Sequence, residues 1–256
     1  MDLHFECTRC GRCCHDLKLP LSLSEARAWL DDGHSVEVMC EAAPWFDGGA
    51  GHPWHAGYRV DRSFLARSGT LPVRVAVTLA AAFAGACPNL TAELQCGIYA
   101  RRPLVCRIYP AEIRPGLTLN VQDKACPPPA WEAAHPIFVR RGQVVDASLQ
   151  ALIQRSRDDG VRDVAGKEQL CASLGLDCAA LADEGWVIHR PDRDVLRDAL
   201  RESVVAPAPA APRQWRLLSN RQATLDDVGR RGACGVWVDP RAAGAPDYLG
   251  LYATAA

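Results

Sequence analysis

The stretch Cys7-Thr8-Arg9-Cys10-Gly11-Arg12-Cys13-Cys14 places four thiols within eight residues. A segment this short has too few turns to bury each sulfur separately as a core hydrophobe. A turn at Gly11 can instead gather them around one centre, as a thiophilic metal requires. The rest of the chain reads as scaffold and further ligands for that centre.

Composition sets the frame. The chain has 256 residues and is 48% apolar, enough for one large domain, or a domain with an appendage, around a real core. The formal net charge of −1 gives no bulk attraction to nucleic acid or to an anionic membrane. Arg101-Arg102 and Arg140-Arg141 are too short to change that and read as solvated surface. The N-terminus, Met1-Asp2-Leu3-His4, runs into the cysteines without a basic n-region and an apolar h-region. The longest apolar run, Leu71 to Ala86, carries Arg74 and is shorter than the roughly 18–20 residues that span a bilayer. A cytoplasmic protein is therefore expected, without membrane or nucleic-acid partner. Its twelve cysteines would stay reduced there unless a metal holds them, in preference to a disulfide framework.

Along the chain, Ser22-Leu23-Ser24-Glu25 fits a capping box opening a helix to about Leu30. Val36 to Met39 alternates like a strand. Pro44 to Gly57 reads as a long ordered loop with two tryptophans and two histidines. Val73 to Leu79 favours a strand, although its alanine-rich continuation suits a helix equally. Pro103 suits a helix N1 position, which puts Leu104 to Arg107 on a first turn ending at Pro110. Leu117 to Asn120 follows the Pro115-Gly116 turn as a predicted strand. Helices are expected over 147–157, capped by Asp146, over 162–174, and from Asp192 to about Glu202, with a short strand at Trp186 to His189 between the last two. Ala206 to Pro212 is low in complexity and extended. Strand-like Trp215 to Leu218 and Val236 to Val238 then form a small appendage or a strand pair docked on the main body. The expected organisation is α+β: a compact cysteine-cluster domain at 1–135, a helical region at 136–205, a linker at 206–213 and a C-terminal appendage at 214–256.

Eight thiols fall in two sequence blocks: Cys7, Cys10, Cys13 and Cys14, then Cys87, Cys96, Cys106 and Cys126. Each C-x-x-C loop places two sulfurs within reach of one metal, and thiolates release their protons on binding it. A zinc ribbon does not fit, because the second block is singly spaced. The bacterial ferredoxin run fits through its first three cysteines and then departs at Cys14-His15. Adjacent cysteines chelate one ion awkwardly, so Cys13 and Cys14 are expected to face different centres, in a multinuclear site or in two sites assembled from both blocks. The other four, Cys40, Cys171, Cys178 and Cys234, read as buried small hydrophobes.

CTRCGRCC, then Cys87-Pro88-Asn89-Leu90, then CGIYARRPLVCRIYP from Cys96 to Pro110, then Cys126, resembles the CxxCxxCC zinc- or iron-chelating family, the YkgJ-like cysteine-cluster proteins. The resemblance covers about residues 5 to 126. It implies a metal-binding domain held by these eight cysteines and leaves zinc or iron open. Some larger relatives are linked to protein lysine methylation, but most have no assigned reaction. The family says nothing about residues 140 to 256.

Within that motif, Arg102 and Arg107 sit where a guanidinium offsets thiolate charge or hydrogen-bonds to sulfur; for Arg107 the alternative is a carboxylate partner. His4 and His15 flank the cluster, and His52 and His55 lie three apart in the tryptophan-rich loop; packing or surface roles are weighed above ligation for each. If the chain is an enzyme, its cavity is expected near His52 and His55. A phosphate-binding Gly-rich loop, a G-x-S-x-G elbow, an H-E-x-x-H pair and the radical-SAM spacing are all absent. Eight thiolates exceed the four of one structural zinc, which favours iron or an iron–sulfur cluster in redox or modification chemistry. The alternatives are a non-enzymatic zinc module, structural or for metal handling, and thiol or persulfide chemistry without metal.

Overall fold

A computed structural model describes residues 2–46, 57–203, 212–239 and 247–252. The strands are β1 (Leu3–His4), β2 (His15–Leu21), β3 (Glu37–Pro44), β4 (Ser63–Ser68), β5 (Leu71–Ala86), β6 (Ile137–Arg140), β7 (Gln143–Val144), β8 (Cys178–Leu181), β9 (Gly185–His189), β10 (Arg216–Ser219), β11 (Gly235–Trp237) and β12 (Tyr248–Gly250). The helices are α1 (Leu23–Asp31), α2 (Leu104–Ile108), α3 (Ala147–Arg162), α4 (Val164–Ser173), α5 (Arg193–Glu202) and α6 (Gln222–Arg230). The mixture is α+β, as the sequence predicts.

Strand β5 is the spine of the main sheet. Val73, Val75, Val77, Leu79 and Ala81 recur at the two-residue period of a strand and are at most 4% exposed. Burying each valine or leucine contributes about 1.5–3 kcal/mol, and α1, α4 and α5 cover this face through Trp29, Leu30, Leu170, Leu196 and Leu200. Along one edge β3 pairs antiparallel from Glu37↔Ala80 to Pro44↔Val73. The other edge is shared end to end by β4, against Leu71–Ala76, and β2, from Leu21↔Leu79 to His15↔Ala86. The alanine-rich end of β5, open to either reading in sequence, is strand because β2 supplies its hydrogen-bond partners. Tertiary pairing overrides the helix preference of alanine.

Beyond β3 the sheet continues through β8, β10 and β11, all parallel, while β9 pairs antiparallel with β3 and β12 antiparallel with β9. The strand pair expected near residues 215–218 and 236–238 is therefore docked directly in this sheet. The capping box forms, with Ser22 accepting from the Glu25 N–H and Glu25 accepting from the Ser22 N–H. Asp146 and Asp192 cap α3 and α5. Pro103 occupies the N-cap of α2 rather than its first helical position. The strand expected at Leu117–Asn120 is irregular chain; Leu117 is 53% exposed and among the described residues no strand lies alongside to take the hydrogen bonds. Most of the 44–57 loop, with His52 and His55, and most of the 206–213 linker lie outside the described residues. Among the described residues no helix is long and apolar enough to cross a membrane.

One buried group ties sheet stability to pH. His189 Nε2 donates to the Cys178 carbonyl at 3.1 Å, and burial holds its pKa below the ordinary 6.5. The fold keeps the ring neutral while the unfolded chain takes up the proton, so this group removes stability as pH falls through about 6.5. His189→Gln should flatten the loss of thermal stability between neutral pH and about pH 5. Melting curves across that range check it, and a decline as steep as the parent's would contradict it.

Candidate metal centre

The N-terminal cysteines are delivered by backbone pairing on both sides. β1 lies antiparallel to β6, and the Phe5 and Glu6 N–H groups donate to Pro136 and Ala130 carbonyls at 3.1 and 2.9 Å. The chain is thus fastened up to Cys7. It then turns at Gly11, at φ 69°, where the Cys14 N–H donates back to the Gly11 carbonyl at 2.9 Å. A Cβ at Gly11 would stand 3.2 Å from both Cβ and the carbonyl oxygen of Leu94, so this position needs glycine for its conformation and for its approach to the second block.

The β2–β5 register joins the blocks. Because His15 faces Ala86, Cys14 arrives beside Cys87, whose N–H donates to the Cys14 carbonyl at 2.7 Å. The Gly97 N–H then donates to the Asn89 carbonyl at 2.8 Å, and Leu90 and Cys96 form a one-residue bridge, which folds Cys96 back toward Cys87. Helix α2 carries Cys106. Its first N–H, of Leu104, donates to Glu25 Oε1 at 2.6 Å, so the carboxylate that completes the α1 capping box also holds the start of α2. Leu104 and Ile108 anchor α2 against Ile153 of α3.

Seven of the eight expected ligands, Cys7, Cys10, Cys13, Cys14, Cys96, Cys106 and Cys126, line one cavity of about 250 Å³. Cys87 does not line it; its charge acts on Cys14 and Cys106 from behind. Phe5, packed against Trp131 and Phe138, forms an apolar wall. Burial there raises the thiols: Cys106 to about 12, with Cys87 adding repulsion, Cys126 to about 11, and Cys87 upward as well. Cys13 and Cys14, expected to face different centres, lie side by side: the Cys14 thiol donates to Cys13, lowering Cys13 to about 6 and raising itself. Crowded, desolvated thiols of this kind are relieved by a cation, which replaces several protons at once.

No group of three or more His, Cys, Asp or Glu side chains among the described residues is arranged to hold an ion as it stands. The donors fit a thiophilic metal in chemical type and in sharing one cavity, with the final closure of the ligand shell left to the ion itself.

Residues 6–127 match the family model described as "CxxCxxCC: Putative zinc- or iron-chelating domain". This stretch is a CxxCxxCC domain. No curated protein and no solved structure matches the chain. The match supports metal binding in this stretch, while β6 to β12 and α3 to α6 lie beyond its C-terminal boundary.

Both expected arginines border the cavity of the CxxCxxCC domain. Arg102 stacks on the Tyr99 ring at 3.7 Å and favours the ionised forms of Cys13 and Cys106. Arg107 reaches the cavity from the exposed side. His4 and His15 do not line it; each directs Nδ1 at a backbone carbonyl, of His135 and of Gly11. Of the four remaining cysteines, Cys40, Cys171 and Cys178 are buried as expected, and Cys40 and Cys171 are hydrogen-bonded thiol to thiol. Cys234 is exposed instead, because it follows α6 on a surface turn where its N–H donates to Ser68 Oγ.

Two contributors escaped the sequence reading. Tyr109 accepts the Ala125 N–H at 2.7 Å and hydrogen-bonds to Cys126, which holds the last ligand against α2. Its place in the R-I-Y-P end of the long motif is the signal that was there to use. Glu25 was read only as a cap, and nothing local marks its second contact. Glu25→Ala should cost about 1–3 kcal/mol of stability and lower the metal content, since α2 loses its anchor. Glu25→Gln, which keeps an acceptor, should retain more of both. Thermal melts with metal analysis check this, and full metal content in Glu25→Ala would contradict it.

Proposed function

We propose that the chain holds iron, as an iron–sulfur cluster, on Cys7, Cys10, Cys13, Cys14, Cys87, Cys96, Cys106 and Cys126, and uses it for redox or modification chemistry. The observation that carries this reading is the gathering of seven of these thiols on one cavity, more than the four that a structural zinc requires. Such a cluster supplies one-electron chemistry when bound. The chain's own residues prepare its place. Arg102 offsets thiolate charge, Tyr109 orients Cys126, and Phe5 with Phe138 keeps water off one side. A reducing cytoplasmic setting keeps the ligands available.

The second reading is a zinc module without catalytic chemistry, supported by the family's description, which names zinc beside iron. Metal and acid-labile sulfide analysis with a visible spectrum, on protein purified without oxygen, separates the two. Iron, sulfide and a broad visible band are expected, with Cys106→Ser losing most of the band and Cys234→Ser keeping it. A colourless protein carrying stoichiometric zinc would overturn the iron reading and leave the zinc module.

A further inference from the structure

A second cavity, of about 520 Å³, adjoins the thiols across α2. Leu104 and Val105 face it, Cys106 and Arg107 face the thiols, and Tyr109 borders both. Its volume lies in the range of small-molecule sites. Most charged groups around it are already engaged. Glu112 pairs with Lys124, Arg59 with Asp183, and Asp159 with Arg155 and Arg162. Asp163 accepts the Leu23 N–H at 2.7 Å, and Glu25 holds the two helix starts.

The side chains of Lys167, Arg114 and Glu41 line the same cavity and have neither hydrogen bond nor ion pair among the described residues. Asp163 attracts Lys167 without bonding to it, and burial holds the Lys167 pKa down, with Arg62 adding repulsion. Arg62 spends two nitrogens on the Tyr58 and Arg157 carbonyls and leaves Nε buried without a partner. Burial raises the Glu41 pKa, while Arg59 and Arg114 draw it down. Of the three side chains left without a partner, two are cations and one is a carboxylate. A desolvated cation without a partner costs stability and persists where a ligand completes it. A third cavity, of about 550 Å³, shares Arg59, Arg62 and Arg114 with this one and adds Arg157 together with Asp61, Asp158 and Asp183.

We infer that this cavity binds a small molecule bearing an oxyanion, carboxylate or phosphate, received by Lys167 and Arg114. Only its role as a reactant rests on the metal reading above; binding itself does not.

Isothermal titration of the full chain, as purified with its metal, against succinate and against inorganic phosphate tests this. At least one probe should bind saturably, and whichever does so names the oxyanion. Lys167→Met and Arg114→Gln should each weaken it by about tenfold or more, the loss of a charged hydrogen bond. Cys234→Ser should bind as the parent does. Lys167→Met removes a desolvated charge, so it should melt no lower than the parent, and its metal content should be unchanged. Failure of both probes to bind the parent, or equally tight binding by both cavity variants, overturns the inference. Metal analysis of the same samples reports separately on the cluster reading.

Discussion

The antiparallel ladder between β2 and β5 holds the two halves of the cysteine set together. Strand β2 is matched against β5 from Leu21 to Leu17 and, past an irregularity at Asp16, again at His15, and the ladder ends where the Cys87 N–H meets the Cys14 carbonyl. A one-residue slip would turn Leu17, Leu19 and Leu21 from the core face to the other face of the sheet, so core burial enforces the register. That register in turn fixes which cysteines meet. The interior of the sheet, through Val73 to Ala81, thus determines the geometry of a site built beyond its end.

A second constraint is electrostatic. Thiols placed against Phe5 and Phe138 lose water, and their own crowding makes ionisation harder still, as Cys106 and Cys126 show. Arg102 and the Tyr109 hydroxyl relieve only part of this. The apolar wall that disfavours free thiolates strengthens their attraction to a cation, because charges interact more strongly where water is excluded. In the neighbouring cavity the cations Lys167 and Arg114 stand without a side-chain partner among the described residues. Tyr109 stands between the two.

The sequence carried the elements governed by local rules. Ser22 and Glu25 announced α1, Asp146 and Asp192 announced α3 and α5, and the valines of β5 announced a strand. The eight clustered cysteines were legible because chelation leaves a local spacing. What was hidden depends on partners far away in sequence. Strand β2 shows alternating leucines but carries Pro20 and follows a cluster that dominates the reading. Strand β8, Cys178 to Leu181, is buried on both faces and has no alternation to detect. The expected strand at Leu117 had the right composition and no neighbour. Lys167, Glu41 and Arg114 come together only through packing of β3, α4 and the chain after α2, so no spacing could have marked them.

The central claim is that both cysteine blocks bind one metal centre. X-ray absorption at the metal edge, on protein purified without oxygen, tests it most directly. An all-sulfur first shell with metal–metal scattering, both lost together when Cys14 or Cys106 is replaced by serine, is the predicted result. A first shell dominated by nitrogen or oxygen, or one that survives both substitutions, would contradict the account.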